Sequence, residues 1–119
     1  LRPESAQAYN ALGYSFAERN LRLPEARELI EKALKLAPED SFILDSLGWV
    51  LYRQGDMPGA LAVLERAYAK RSDPEIAAHL GEVLWVLGRK EEAGRILREA
   101  QQKFPTNEAL ADALRKFAP

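Results

Sequence analysis

Leu44-Asp45-Ser46-Leu47-Gly48-Trp49-Val50-Leu51, followed past a turn at Gly55 by Ala60-x3-Leu64-x2-Ala67, is a pattern that this chain writes three times. The preceding copy reads Tyr9-x2-Leu12-Gly13-x2-Phe16 and then Ala26-x3-Ile30-x2-Ala33. The following copy reads Ala77-x2-Leu80-Gly81-x2-Leu84 and then Ala93-x3-Leu97-x2-Ala100, and Pro38 and Pro105 close the first and third units. Gly13 to Gly48 is 35 residues and Gly48 to Gly81 is 33, while Ala26, Ala60 and Ala93 step by 34 and then 33. A period of that length, with apolar residues at helical spacing in both halves, predicts stacked helix hairpins.

A glycine inside a helix costs about 1 kcal/mol relative to alanine, so three at equivalent places imply that close helix approach more than offsets the loss. Gly13, Gly48 and Gly81 are expected to lie against the alanines of the next helix, bringing the two backbones together. Helix ends are marked as well. Asn20, Gly55 and Gly88 each sit seven residues after a packing glycine, where a left-handed residue ends the first helix. Pro24 and Pro58 open second helices, Asp73-Pro74 reads as a cap followed by a first-turn proline, and Asp40 caps the helix from Ser41. The predicted helices are 5–19, 24–37, 41–54, 57–71, 74–87, 90–103 and 107–117. Two departures stand out. The first turn is one residue longer and is expected to expose Leu21 and Leu23, and Arg115 replaces the packing glycine in the last helix, which reads as a cap carrying Leu110, Leu114 and Phe117 on one face.

This register resembles the tetratricopeptide repeat over nearly the whole chain. The resemblance implies an all-α, right-handed α-α superhelix in a single domain: repeats at about 6–40, 41–73 and 74–107, then a capping helix at 107–117. It also implies that the first helix of each hairpin lines a concave groove. Tyr14, Trp49 and Glu82 lie five residues after the opening repeat position, about 140° around the helix and away from the partner helix. The expected partner-binding face is therefore Tyr14, Phe42, Asp45, Trp49, Tyr52, Arg53, His79, Glu82 and Trp85, with Tyr14, Trp49 and Trp85 as anchors and Asp45 and Glu82 setting orientation. Large aromatics in such a groove mark a contact surface or fill the groove internally, and the sequence leaves both open. Some members of the family grip a chaperone's C-terminal carboxylate through basic and amide side chains. Here Asn10 alone is of the right kind, while Tyr14, Ser46, Glu75 and His79 occupy the other clamp positions, so that reading is set aside.

Composition bounds the rest. With Lys plus Arg 17 and Asp plus Glu 18 the formal charge is −1, which favours neither nucleic acid nor an anionic membrane. No apolar run approaches the roughly 20 residues of a membrane span, so no direct insertion is expected. The start at Leu1 has no signal-peptide pattern, and the chain reads as a fragment of a longer protein. Zero cysteines leave no disulfide and no thiolate metal site. Glu75, His79 and Glu82 share a helical face at metal-ligand spacing, but two carboxylates and one imidazole more often form a solvated patch, so no metal or other cofactor is expected. No catalytic serine, phosphate-binding loop or cysteine nucleophile appears, and a non-catalytic protein or peptide binder is expected.

Segments 45–53 and 73–85 resemble the C-terminal repeats of proteobacterial tetratricopeptide proteins, many of them outer-membrane lipoproteins. That likeness implies an adaptor at the periplasmic face of the outer membrane; the cytoplasm is the alternative. A second expectation is self-association through the outer face of the first helix, at Ala8 and Ser15, which lacks a neighbour. The i,i+4 pairs Glu28 with Lys32 and Glu31 with Lys35 are expected on a wet face.

Overall fold

The computed structural model describes residues 5–118, which form seven helices: α1 (Ala6–Glu18), α2 (Leu23–Leu36), α3 (Ser41–Arg53), α4 (Met57–Lys70), α5 (Pro74–Val86), α6 (Lys90–Lys103) and α7 (Glu108–Phe117). Consecutive helices pair as antiparallel hairpins, and the hairpins stack into an all-α solenoid 42 Å long. No helix among the described residues is long and apolar enough to cross a membrane.

Side chains satisfy the orphan amides at most helix starts. Ser5 accepts from Ala8, Asp40 from Phe42 and Ile43, Asp56 from Gly59, Asp73 from Glu75 and Ile76, and Asn107 from Leu110. Asn20, Gly55 and Gly88 end their helices at φ 55°, 89° and 86°. The extra residue of the first turn is absorbed by Arg22, which also takes a left-handed conformation, φ 47°, at a cost of about 1–2 kcal/mol for a residue with a Cβ. Its guanidinium lies 5.1 Å from the Phe16 ring and 3.2 Å from Glu25. Leu21 is exposed as expected, but Leu23 is not: it opens α2 and packs on the core, because the left-handed Arg22 turns the chain inward.

The glycines do make close contact, chiefly with a branched side chain of the facing helix rather than with its alanines, although a Cβ at Gly13 would also stand 2.9 Å from the Ala26 carbonyl oxygen. A Cβ at Gly13 would stand 2.7 Å from Ile30 Cγ1, at Gly48 2.5 Å from Leu64 Cγ, and at Gly81 2.7 Å from Leu97 Cγ. Each glycine is a socket for the branched side chain that lies between two alanines of the facing helix. Ala26, Ala33, Ala60, Ala67, Ala93 and Ala100 are buried on either side of that plug, and their small size lets the plug reach bottom.

Stacking of hairpins uses another stripe. Ile43 and Val50 of α3 join a core with Tyr9, Ala26 and Ile30, and Leu80 and Val83 of α5 join one with Leu51, Ala60 and Leu64. Leu110 of α7 closes a third with Ala77 and Leu97. The positions of α1 equivalent to Ile43, Leu47 and Val50 are Ala8, Leu12 and Ser15, with Leu12 and Ser15 exposed. On the outer face of α2 the expected ion pairs are rearranged: Arg27 reaches Glu31 at 3.2 Å, and Lys32 lies 4.5 Å from the Tyr9 ring instead, trading a screened surface contact for one with an aromatic face.

Helix propensity alone favours Gly48→Ala by about 1 kcal/mol. Because Leu64 fills the socket, the substitution is expected to destabilise the protein instead, by roughly 1–3 kcal/mol, read as a lower urea midpoint. An unchanged or higher midpoint would contradict plug-and-socket packing.

Candidate functional site

The first helices α1, α3 and α5 line two adjoining open cavities, the first of which α7 also bounds. One, of about 450 Å³, is lined by Tyr14, Glu18, Trp49, Arg53, Glu75, His79, Glu82, Asp112, Lys116 and Phe117 among others. The other, of about 350 Å³, is lined by Asn10, Tyr14, Phe42, Asp45, Ser46, Asp73, Glu75 and His79 among others. Tyr14, Glu75 and His79 belong to both. The helical spacing that puts apolar residues toward the second helices turns these side chains the other way, onto one concave face.

The floor of this groove is more tightly built than the sequence suggests. Trp49 is only 4% exposed. His79 stacks on its indole at 4.1 Å and 23°, Tyr52 lies against it at 4.9 Å, and the Arg53 guanidinium sits 5.1 Å from its ring. Among the described residues its Nε1 has no hydrogen-bond partner. Trp49 is therefore not the exposed anchor expected of it. It is core, because side chains from two later helix turns fold over it.

Polar groups of the same face bond to one another across repeats. His79 Nδ1 lies 2.9 Å and 3.0 Å from the two carboxylate oxygens of Asp45, and its Nε2 lies 3.4 Å from the Tyr14 hydroxyl. Tyr52 donates to Glu82 at 2.7 Å, and Arg53 donates to the backbone carbonyl of Glu18 at 3.3 Å. Asp45 is buried. So Asp45 and Glu82, expected to orient a partner, are occupied in stapling α3 to α5, and Tyr14 ties α1 to α5. His79, Glu75 and Glu82 do not converge on a common point: Glu75 accepts from Asn107 at 3.3 Å, while the other two hold Asp45 and Tyr52.

These contacts shift titrations. Burial opposes charge on His79, but the bond to Asp45 and the fields of Asp45, Glu18 and Glu82 outweigh it and hold the imidazole above its ordinary range. Burial pushes the Asp45 carboxyl up, against the pull of His79. Burial, then the neighbouring carboxylates Glu18 and Glu82 respectively, keep the Tyr14 and Tyr52 hydroxyls protonated well beyond the usual phenol range.

What remains open to solvent lies along the rims. Phe42 is 42% exposed beside the Arg71 guanidinium, and Val86 is 50% exposed. Trp85 is half-buried between Phe117 at 6.2 Å and Lys90 at 4.7 Å. The carboxylates Glu18 and Glu75 are exposed. Sequence reasoning left out Asp112, Lys116 and Phe117 as groove residues, because α7 read only as a cap. The signal was present in the chain: at the repeat offset, Lys116 falls where α5 has Glu82 and α3 has Trp49.

The tetratricopeptide repeat family model matches residues 1–41 and 46–108. A TPR repeat-containing protein of Pseudomonas aeruginosa is 55% identical over 80 residues, which are 67% of this chain and 14% of that protein. A thermophilic TPR protein of Thermus thermophilus superposes with TM-score 0.82 at 25% identity, over 95% of this chain and 66% of that one. The Yersinia enterocolitica type III secretion chaperone SycD, solved in complex with a peptide of the translocator YopD, superposes with TM-score 0.75 at 17% identity, over 93% and 90%. The last likeness concerns the fold alone.

Since Trp49 is held on three sides, Trp49→Ala is expected to cost about 3–5 kcal/mol, measured by urea unfolding. A loss below about 1 kcal/mol would mean that the indole is not part of the core.

Proposed function

The chain belongs to the tetratricopeptide repeat family, and from that premise we propose that it is a non-catalytic interaction module whose concave groove holds a short partner segment carrying basic and apolar side chains. The observation that carries the reading is the division of the groove into a sealed floor and an open rim. Phe42, Val86 and the outer part of Trp85 offer apolar surface, and Glu18 and Glu75 are exposed carboxylates of the groove lining. The anchors in this reading are therefore Phe42 and Trp85, with Tyr14, Trp49, Asp45, Tyr52, His79 and Glu82 supplying the rigid surface beneath. Preorganised floors of this kind lower the entropy cost of binding. Across the groove lining, Glu18, Glu75, Glu82 and Asp112 face Arg53 and Lys116, an acidic surplus that attracts cationic segments.

Peptide complexes of relatives support the general mode: the Yersinia chaperone holds a peptide of its translocator. The finer reading, an adaptor in a bacterial envelope complex, draws its support from the likeness of segments 45–53 and 73–85 to proteobacterial envelope proteins. Self-association through α1 is the weaker alternative. Its outer face carries Ala8 and Ser15 where the stacking helices carry Ile43 and Val50, which leaves little apolar area for a second copy beyond Leu12.

Selection of peptides from a random display library on the intact domain tests the proposal. Selected sequences are expected to be rich in lysine or arginine next to aliphatic or aromatic residues. Double reversal at the rim, Glu18→Lys with Glu75→Lys, is expected to weaken them at least about tenfold, roughly 1.4 kcal/mol, with the helical fold retained by circular dichroism. Selection of acidic peptides, or binding indifferent to the reversal, would overturn it.

A further inference from the structure

The groove floor contains the chain's only histidine, and its surroundings accommodate two charge states. A neutral ring with its proton on Nδ1 donates to Asp45 and accepts at Nε2 from the Tyr14 hydroxyl, using the contacts at 2.9 Å and 3.4 Å. A protonated ring donates from both nitrogens, so the Tyr14 oxygen must accept and its own proton must turn elsewhere. Glu18 is the place for it. That carboxylate lines the same cavity as Tyr14 and His79 and, after burial, is the chief cause of the hydroxyl's resistance to ionisation. Each state satisfies every polar group of the triad, and the two differ in what Glu18 is doing.

We propose that His79 makes the groove's hold on a basic segment depend on pH: protonation adds a positive charge to the floor and draws Glu18 onto Tyr14, and deprotonation removes that charge and frees the Glu18 carboxylate for the partner. The inference rests on the groove reading above. Charged and titratable groups face the ring from every wall: Tyr14 and Glu18 on α1, Asp45 and Arg53 on α3, Glu75 and Glu82 on its own helix with Asp73 at its cap, and Asp112 and Lys116 on α7. Their balance, after the opposing effect of burial, favours the proton, so the transition falls above the ordinary imidazole value of 6.5. A folded-state value raised in this way stabilises the fold fully below about pH 6.5 and loses that contribution as pH rises through the folded value. Partner affinity moves the opposite way, increasing as the proton leaves. By linkage, a bound cationic segment must lower the ring's proton affinity and release a fraction of a proton.

The single histidine gives one Hε1 resonance, so a pH titration of the intact, untagged protein by proton NMR reads its midpoint directly. Trp85→Phe leaves Trp49 as the sole tryptophan, and its emission is expected to be quenched by the stacked imidazolium with the same midpoint. Labelled hexalysine serves as the probe. At constant ionic strength it is expected to bind about three- to tenfold tighter near pH 8.5 than near pH 6, and His79→Gln is expected to remove the difference. A midpoint at or below about 6.5 overturns the inference, as does hexalysine binding of equal strength at both pH values. Failure of hexalysine to bind at either pH overturns the groove reading and the coupling with it, while the NMR midpoint stands as measured.

Discussion

Three plugs hold this molecule together. Ile30, Leu64 and Leu97 each enter a glycine socket on the facing helix, with the would-be Cβ of Gly13, Gly48 and Gly81 less than 3 Å from the entering side chain. Such an arrangement has only one solution for each hairpin. Any residue with a side chain at the socket would push the helices apart, and any smaller plug would leave a void of a methyl or more. Once the hairpin geometry is set, the stacking stripe follows, because Ile43, Val50, Leu80 and Val83 then point at the preceding pair. The concave face is what is left over on the first helices.

That leftover face is not simply a surface awaiting a ligand. In the middle repeat it has become an extension of the core, with Trp49 joined to Tyr9, Ile43 and Val50 and covered by His79, Tyr52 and Arg53. Hydrogen bonds from Tyr14 to His79, from His79 to Asp45 and from Tyr52 to Glu82 link helices whose sequence separations are 65, 34 and 30 residues. A solenoid is stabilised chiefly by nearest neighbours. The bond between α1 and α5 skips one repeat, which a curved array permits because its inner rim brings first helices together. Curvature and the polar network therefore depend on one another.

Much of this was legible along the chain. The socket glycines, the buried alanines, the left-handed turn residues and the caps Asp40 and Asp73 each carry a local backbone or packing requirement that few residue types meet. Their spacing then repeats it. The exposure of the groove aromatics was less legible. Helical periodicity places Trp49 on the concave face correctly, but it says nothing about which side chains from α5 will cover it. The extra residue in the first turn was visible as an insertion, yet the left-handed Arg22 that precedes the half-buried Leu23 was not, since non-glycine residues adopt that conformation only where their surroundings hold them there.

The sequence by itself determined the helices, their pairing and the face on which recognition could occur, because those follow from short-range steric rules repeated every 33 to 35 residues. Only the tertiary structure decided which groove residues are floor and which are rim. Burial of Trp49 and Asp45 depends on superhelical curvature, a property summed over the hairpins, which brings His79 of α5 onto both of them. No single repeat encodes it.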